Sequence, residues 1–525
     1  MAGNRRWRVA AVPAEIRAFS LRFKRSIVWH APCAWLARAR FEPCTSPRSR
    51  EDMYTTTRLE LILLLLALML FGIATLIQAQ APSTTTAVTS TSVTARDPGV
   101  RGGPAGAGGP INGLTARQYE FFTDGKADFE EVEVVADGLG ARMNLDSCAG
   151  CHAQPATGGT SPFVNPQVAF ASKDAGTDRV PFFITLNGPV REARFKFNPD
   201  GTRDGGVHNT ATITGRTGTA GCVLAQPDFD TQAVNNNLIF RIPTPVFGAG
   251  LIEQIPDSVI MANQAVNASS KQQLGIGGHP NLFVSGRTIT GRMNNNGSDG
   301  TIAKFGWKAQ NQTLLLFSGE AYNVEMGITN ELFQQEREQN PNCQFATLPN
   351  DVTDTEVTNT SAGLNAIEKF AFFQRFLAPP TPSPDTPGGA SSISNGRSLF
   401  VSTGCALCHT PTLTTGNSTV SALRNQPVNL FSDLLLHAMG PGLADNILQG
   451  GAQGDEFRTA PLWGLGQRVF FLHDGRTTDL LQAIQAHKSA GDSTFGPSEA
   501  NAVTDNFNKL TEKKKQDLLN FLRSL

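Results

Sequence analysis

Two five-residue stretches, "CAGCH" at 148–152 and "CALCH" at 405–409, place the same set of reactive side chains twice in a chain of 525 residues with eight cysteines. C-x-x-C-H is the attachment signal of a c-type haem. Cysteines three apart share one side of a helical turn, within reach of the two porphyrin vinyl groups, and the next histidine turns its imidazole to the iron. Covalent attachment suits a protein working outside the cell, where a dissociable cofactor is lost by dilution. Cys148, Cys151 and His152 are expected to hold one haem, and Cys405, Cys408 and His409 a second. A redox disulfide or zinc fits less well. A C-x-x-C redox pair has no need of the histidine, and zinc needs further Cys or His close by.

Two other cysteines, Cys222 and Cys343, follow the N-terminal stretch. In an oxidising compartment they read most simply as a structural disulfide, with a catalytic dithiol as the rival reading. So low a cysteine count excludes a disulfide-knitted scaffold.

The elements that position these groups are read from the rest of the chain. Residues 61–77, "LILLLLALMLFGIATLI", are an apolar run with Arg58 before it and "QAQAPSTTT" after it. That is the layout of a secretory signal, cut after Ala79, with a retained membrane anchor as the alternative. Signals begin near the initiator, so residues 53–80 are expected to be the signal, with Met53 as the start and 1–52 untranslated or disordered. Through residue 80 there are 12 Lys and Arg and 5 Asp and Glu, which leaves 32 basic and 40 acidic residues in the exported part, a net charge of −8. Nucleic acid is thereby a poor partner, and a basic redox protein, a small cytochrome or cupredoxin, a reasonable one. Membrane contact is expected only if the signal segment is retained.

A Thr/Ser/Gly/Pro-rich stretch at 81–110 reads as a flexible tether, and "APPTPSPDTPGG" opens a stiff Pro-rich linker over 379–392. Between them, 111–378 is expected to be an N-terminal haem domain, and 393–525 a second one. "AGLNAIEKFAFFQRFLAPP" carries Ile367, Phe370, Phe373 and Leu377 at helical spacing, and "LTEKKKQDLLNFLRSL" repeats the scheme with Leu518, Phe521, Leu522 and Leu525. "SISNGRSLFVSTG" before the second motif reads as a short helix with Leu399 and Phe400 on one face. Helix, motif, loop and closing helix is the plan of a class I cytochrome c domain. Residues 160–300, rich in Gly, Asn, Thr and Val, suit short strands and turns. The expected fold class is mainly α, with two class I cytochrome c-like haem domains, the first enlarged by a loop-rich, partly β insertion.

The order "FGWKAQNQTLLLFSGEAYNVEMGITNELF", "CALCH", "FRTAPLWGLGQRVFFLHDGRTTDLLQAIQAH" and a closing helix resembles the bacterial di-haem oxidoreductases, some of them labelled thiol oxidoreductases. That family looks like a distant relative of the di-haem cytochrome c peroxidases and of MauG, and the resemblance covers about 112–525. "FGWKA" and "NVEMG" stand where the peroxidases have a tryptophan between the haems and a glutamate above the first haem, so Trp307 and Glu325 are the matching residues. The resemblance implies an acid/base role for Glu325, taking a proton from one peroxide oxygen and delivering it to the other, and an electron-relay role for Trp307. Read without it, Glu325 is an ordinary carboxylate and Trp307 core packing. A glutamine that the peroxidases carry ten residues before the glutamate has Leu315 in its place, so one polar group of the expected peroxide pocket is missing.

In the C-terminal half the resemblance makes His487 the distal ligand of the second haem, in place of the peroxidases' methionine; histidine there lowers the potential. Met439 and His437 are rival ligands. Arg476, in the "HDGR" turn with His473 and Asp474, is expected either to pair with a haem propionate or simply to belong to a turn built by Asp474 and Gly475. For the first haem an open site under Glu325 is preferred over ligation by His208, His279 or Met326. The peroxidase relationship also implies calcium between the haem domains, although no loop has an EF-hand pattern. Together these expectations describe an exported peroxidase-like oxidoreductase that reduces peroxide or another small oxidant, fed by its second haem. The alternative is a non-enzymatic di-haem electron carrier.

Overall fold

The computed structural model describes residues 94–525, apart from 177–178, 204–215, 283–286, 290–291, 295–300, 339, 347–348 and 358–360. The signal segment, Met53 and His208 lie outside the described residues. The architecture is helix-rich with small two-stranded sheets. None of the described helices is long and apolar enough to cross a membrane.

Each CxxCH motif sits beside a pair of helices that cross at a glycine. In the first half, α1 (Ala116–Glu130) begins at Thr115, whose hydroxyl accepts from the Gln118 backbone while the Gln118 side chain returns to Thr115 N. Beyond it, α2 (Cys148–Cys151) is the single turn that carries the first motif, and α3 (Leu314–Met326) is capped by Thr313 and ended by Gly327 in the left-handed region. Another capping box, Asn365 with Glu368, opens α4 (Ala366–Phe376). At Gly125 α1 meets α4 so closely that a Cβ would collide with the Lys369 carbonyl. Phe129 then packs on Phe373 with ring centroids 5.0 Å apart and on the ring of His152 at 5.9 Å, so the same aromatic cluster seats the first motif.

The second half repeats the device. Helix α5 (Ala390–Ser402) leads into the 3₁₀ turn Cys405–Leu407, and α6 (Leu480–Ala486), α7 (Asn501–Asn508) and α8 (Glu512–Ser524) follow. A Cβ at Gly396 would collide with the Asp517 carbonyl, so α5 and α8 also meet backbone to backbone. Phe400 of α5 and Phe521 of α8 lie 5.5 Å apart. The helix expected before the second motif and both amphipathic closing helices are present.

The strands are short. β1 (Glu192–Phe195) pairs antiparallel with β2 (Leu238–Arg241), and β3 (Leu436–Ala438) with β4 (Glu456–Arg458). The region expected to be strands and turns is only partly so: Ala249–Glu253, Asp257–Ala265 and Ala268–Gln273 are three short helices. Leu251, Ile252, Ile255 and Ile260 supply a buried apolar face there that the surrounding Gly and Asn content concealed.

Two further expectations change. Residues 94–110 do not form a flexible tether: Asp97 accepts from the buried Arg523 at 2.6 and 2.7 Å, and Arg101 N donates to Gly466 O at 2.6 Å. A charge pair and backbone bonds hold this Gly-rich strip on the C-terminal half. The Pro-rich stretch after 379 also lies against its neighbours, with Ser383 N on Ser524 O at 2.7 Å, and helix α5 begins within its expected range. Cys222 and Cys343 form a disulfide.

Candidate haem sites

In the single turn α2, His152 N donates to Cys148 O at 3.0 Å, which fixes Cys148 and Cys151 on one side and turns the His152 ring inward. Its Nδ1 lies 3.0 Å from the carbonyl oxygen of Gly159. A carbonyl only accepts, so Nδ1 carries the proton and the Nε2 lone pair is left for a metal. The second motif is built alike, with His409 Nδ1 3.0 Å from Phe431 O. His487, at the C-terminal end of α6, has Nδ1 2.8 Å from Ala483 O. Burial pushes His152 and His409 down to about 4, and His487 downward as well, so all three are neutral imidazoles at neutral pH. His487 is also felt at His409, where its charged form lowers the pKa further.

Each motif opens on a cavity. The first, about 920 Å³, is lined by Cys148, Cys151, His152, Trp307, Gln310 and Glu325. The second, about 1430 Å³, is lined by Cys405, Cys408, His409, His487, Arg458 and Arg468. None of the four motif cysteines is disulfide-bonded, and burial raises the Cys405 thiol to about 11. Such thiols are poor redox nucleophiles. The donor set fits a porphyrin at both places: paired thiols at a wall, a histidine with Nε2 left free of its carbonyl partner, and guanidiniums in the lining.

Glu325 lies on the last turn of α3, where Gly327 ends the helix against Gly140. Its side chain faces the open volume of the first cavity, and among the described residues it has no hydrogen-bond partner. Although its side chain is exposed to the cavity, the surrounding protein pushes its carboxyl up to about 8, with Glu192 adding to the rise and Arg194 opposing it. Leu315 does not line this cavity but packs into the core. Gln310 lines it instead, and among the described residues its buried Oε1 has no hydrogen-bond partner. No periodicity or motif marks Gln310, which follows Trp307 by three residues.

Trp307 lines both cavities. Its indole N–H donates to Ile242 O at 2.9 Å, and Arg458 N donates to its carbonyl at 2.9 Å. Next to it, Lys308 is fully buried and donates to Asp445 at 2.9 Å, while Arg241 donates to the other Asp445 oxygen at 2.6 Å. Burial alone would raise the Asp445 carboxyl, but Lys308 and Arg241 hold it well below the usual range. This charged knot joins β2 to the loop after β3 and locks the tryptophan between the two motifs.

The rival ligands fall into different surroundings. Both ring nitrogens of His437 face carboxylates, Nε2 with Asp433 at 3.0 Å and Nδ1 with Glu499 at 2.6 Å, which leaves no lone pair for iron. Met439 does line the second cavity, and Met326 the first. His279 is engaged by Glu456 at 2.9 Å and lines neither. Arg476 also lines neither cavity: it donates to Asp474 at 2.7 Å and to Gly442 O at 2.7 Å, the turn arrangement. Among the described residues no group of three or more His, Cys, Asp or Glu side chains is gathered for a metal ion.

Comparison with known proteins follows the same lines. Residues 231–525 match the family described as "Di-haem oxidoreductase, putative peroxidase". Among curated proteins none matches the chain. Solved structures that resemble it include a MauG-like protein associated with microbial copper homeostasis, 19% identical, with 54% of this chain and 90% of that chain covered and a TM-score of 0.27. Another is the diheme peroxidase BthA from Burkholderia thailandensis E264, 16% identical, with 42% of this chain and 65% of that chain covered and a TM-score of 0.27. The family match, which spans more than half of the sequence, carries the assignment. The chain belongs to the di-haem oxidoreductase family, haem-dependent redox enzymes.

Proposed function

We propose that this chain is an exported di-haem c-type oxidoreductase with peroxidase-like chemistry, catalysing at the His152 site and receiving electrons at the His409/His487 site. The observation that carries this reading is Glu325: an unpartnered carboxyl facing the cavity that His152 also faces, with its pKa raised into the range where it exchanges protons near neutrality. Bound at these sites, haems would supply the redox equivalents, held by His152 at the first and by His409 and His487 at the second.

The chain's own residues do the rest. Reducing one peroxide to two waters consumes two electrons and two protons. Glu325 takes the proton from the near oxygen and returns it to the departing one. Gln310 offers the polar contact that Leu315 does not. Trp307, fixed by Ile242 and the Lys308–Asp445 knot, stands on the path between the two sites. The thioether links, the two cytochrome c-like units, the export by residues 53–80 and a basic cytochrome or cupredoxin as electron donor belong to the same proposal.

Spectroscopy of the purified holoprotein tests it. One high-spin ferric haem that binds carbon monoxide after reduction, beside one low-spin haem, supports the enzyme, as does oxidation of the reduced protein by stoichiometric hydrogen peroxide. Two low-spin, ligand-inert haems make it an electron carrier instead. Colour released by acid-acetone extraction overturns covalent attachment.

A further inference from the structure

Among the described residues, two buried cations in the second cavity have no anionic partner. Arg458, on β4, and Arg468, just after the 3₁₀ turn Leu465–Gln467, are 7% and 8% exposed. Arg458 spends its Nε on Gly306 O at 3.0 Å and Nη1 on Thr459 O at 3.4 Å, both neutral carbonyls. Among the described residues the Arg468 side chain has no hydrogen-bond or ion-pair partner. Its neighbouring charge is Arg458, a like charge that makes burial worse rather than better. Two other buried arginines are matched by carboxylates: Arg241 has Asp445, and Arg523 has Asp97. Burying an unpaired charge is strongly unfavourable, so an uncompensated pair calls for a bound anion.

The place of the pair narrows the anion. Both side chains line the cavity onto which Cys405, Cys408 and His409 open, and both also line a small adjoining crevice shared with Trp307. We infer that Arg458 and Arg468 are the carboxylate seat of the second site, binding the two propionates of the haem held at Cys405, Cys408 and His409. The charges match, two guanidiniums to two carboxylates, and the planar fork of arginine suits carboxylate oxygens. The inference rests on a haem at that motif and goes beyond it, because it names the residues that would hold the haem's propionates. It also puts in Arg458 and Arg468 the role expected of Arg476.

The test is spectroelectrochemistry of the holoprotein. A positive charge beside the macrocycle favours the ferrous state. Arg458→Gln and Arg468→Gln are therefore each expected to shift the midpoint potential of the low-spin haem downward, with the high-spin haem moving less. Arg468→Lys is expected to keep most of the wild-type potential. Unchanged low-spin potentials in both Gln variants overturn the inference. If the Gln variants do not accumulate, a crystal structure of the wild-type holoprotein decides it. Propionate oxygens within hydrogen-bond distance of either guanidinium support the assignment. Propionates directed elsewhere, or a small inorganic anion such as chloride between the arginines, overturn it. Loss of both haem signals in every variant, with no thioether-linked haem in the wild type, indicts instead the haem reading on which the inference depends.

Discussion

His487 Nδ1 lies 2.8 Å from the carbonyl oxygen of Ala483, one helical turn back on α6, and this bond fixes the ring with Nε2 toward the cavity of the second motif. A ligand held by its own helix is oriented before the metal arrives. His487→Met is expected to convert the low-spin haem from bis-histidine to histidine/methionine ligation and to raise its potential. His487→Ala is expected to leave it high-spin or bound by Met439. Near-infrared magnetic circular dichroism and potentiometry read both outcomes. A low-spin bis-histidine spectrum that survives His487→Ala removes this residue from the iron.

Glu325 gives a prediction with a sign. Its pKa is raised to about 8 in the fold, above the ordinary carboxyl value of 4.5. The proton-accepting form is the carboxylate, so peroxide turnover should rise with pH through about 8. Glu325→Gln should lower turnover by about 10²–10⁴-fold, the usual range for a general acid/base, and abolish that limb, with both haem spectra unchanged. Linkage runs the other way for stability. The raised pKa contributes stability that is complete below pH 4.5 and is lost as pH rises through about 8. Glu325→Gln should therefore gain on the wild type in denaturant titrations as pH goes from 5 to 9. A pH profile identical in both proteins sinks the role.

Legibility in the sequence followed the range of the signal. The haem-binding pentapeptides and the closing helices are local patterns, and α4 and α8 appear where Phe370, Phe373, Leu518 and Phe521 predicted apolar faces. Residues paired across the chain were invisible. Asp97 with Arg523 turned an apparent tether into packed structure, and the missing partner of Arg468 shows only once its surroundings are assembled. Arg476 drew attention because it sits in a recognisable turn, yet Asp474, two residues away, satisfies it locally. The short helices from 249 to 273 were hidden because the Gly- and Asn-rich segments on either side set the composition of the 160–300 region as a whole.

The knot beside Trp307 predicts a separation of stability from ligation. Asp445 is fully buried between Lys308 and Arg241. Asp445→Asn leaves two buried cations poorly matched and should cost about 3–5 kcal/mol in chemical unfolding, because removing one partner of a buried pair strands the others. Pairing it with Lys308→Met should recover part of the loss. Trp307→Phe, by contrast, should keep both haem spectra and slow electron transfer between the sites, read by stopped-flow after reduction of the low-spin haem. Equal transfer rates in wild type and Trp307→Phe remove the indole from the path.

The bridge between Cys222 and Cys343 decides between structure and chemistry. It closes a loop of 121 residues, and Cys343 is buried beside Ala141 and Leu224. Loops of that size stabilise by about 3–5 kcal/mol through the unfolded chain, the mechanism being model-dependent. Both cysteines lie outside the lining of the two cavities, which separates them from the proposed site of peroxide chemistry. The double variant Cys222→Ser/Cys343→Ser should lose stability in guanidinium titrations yet retain two haem additions by mass spectrometry and the wild-type rate of peroxide reduction. The opposite pattern, full stability and both haems with turnover gone, would make the pair a catalytic dithiol.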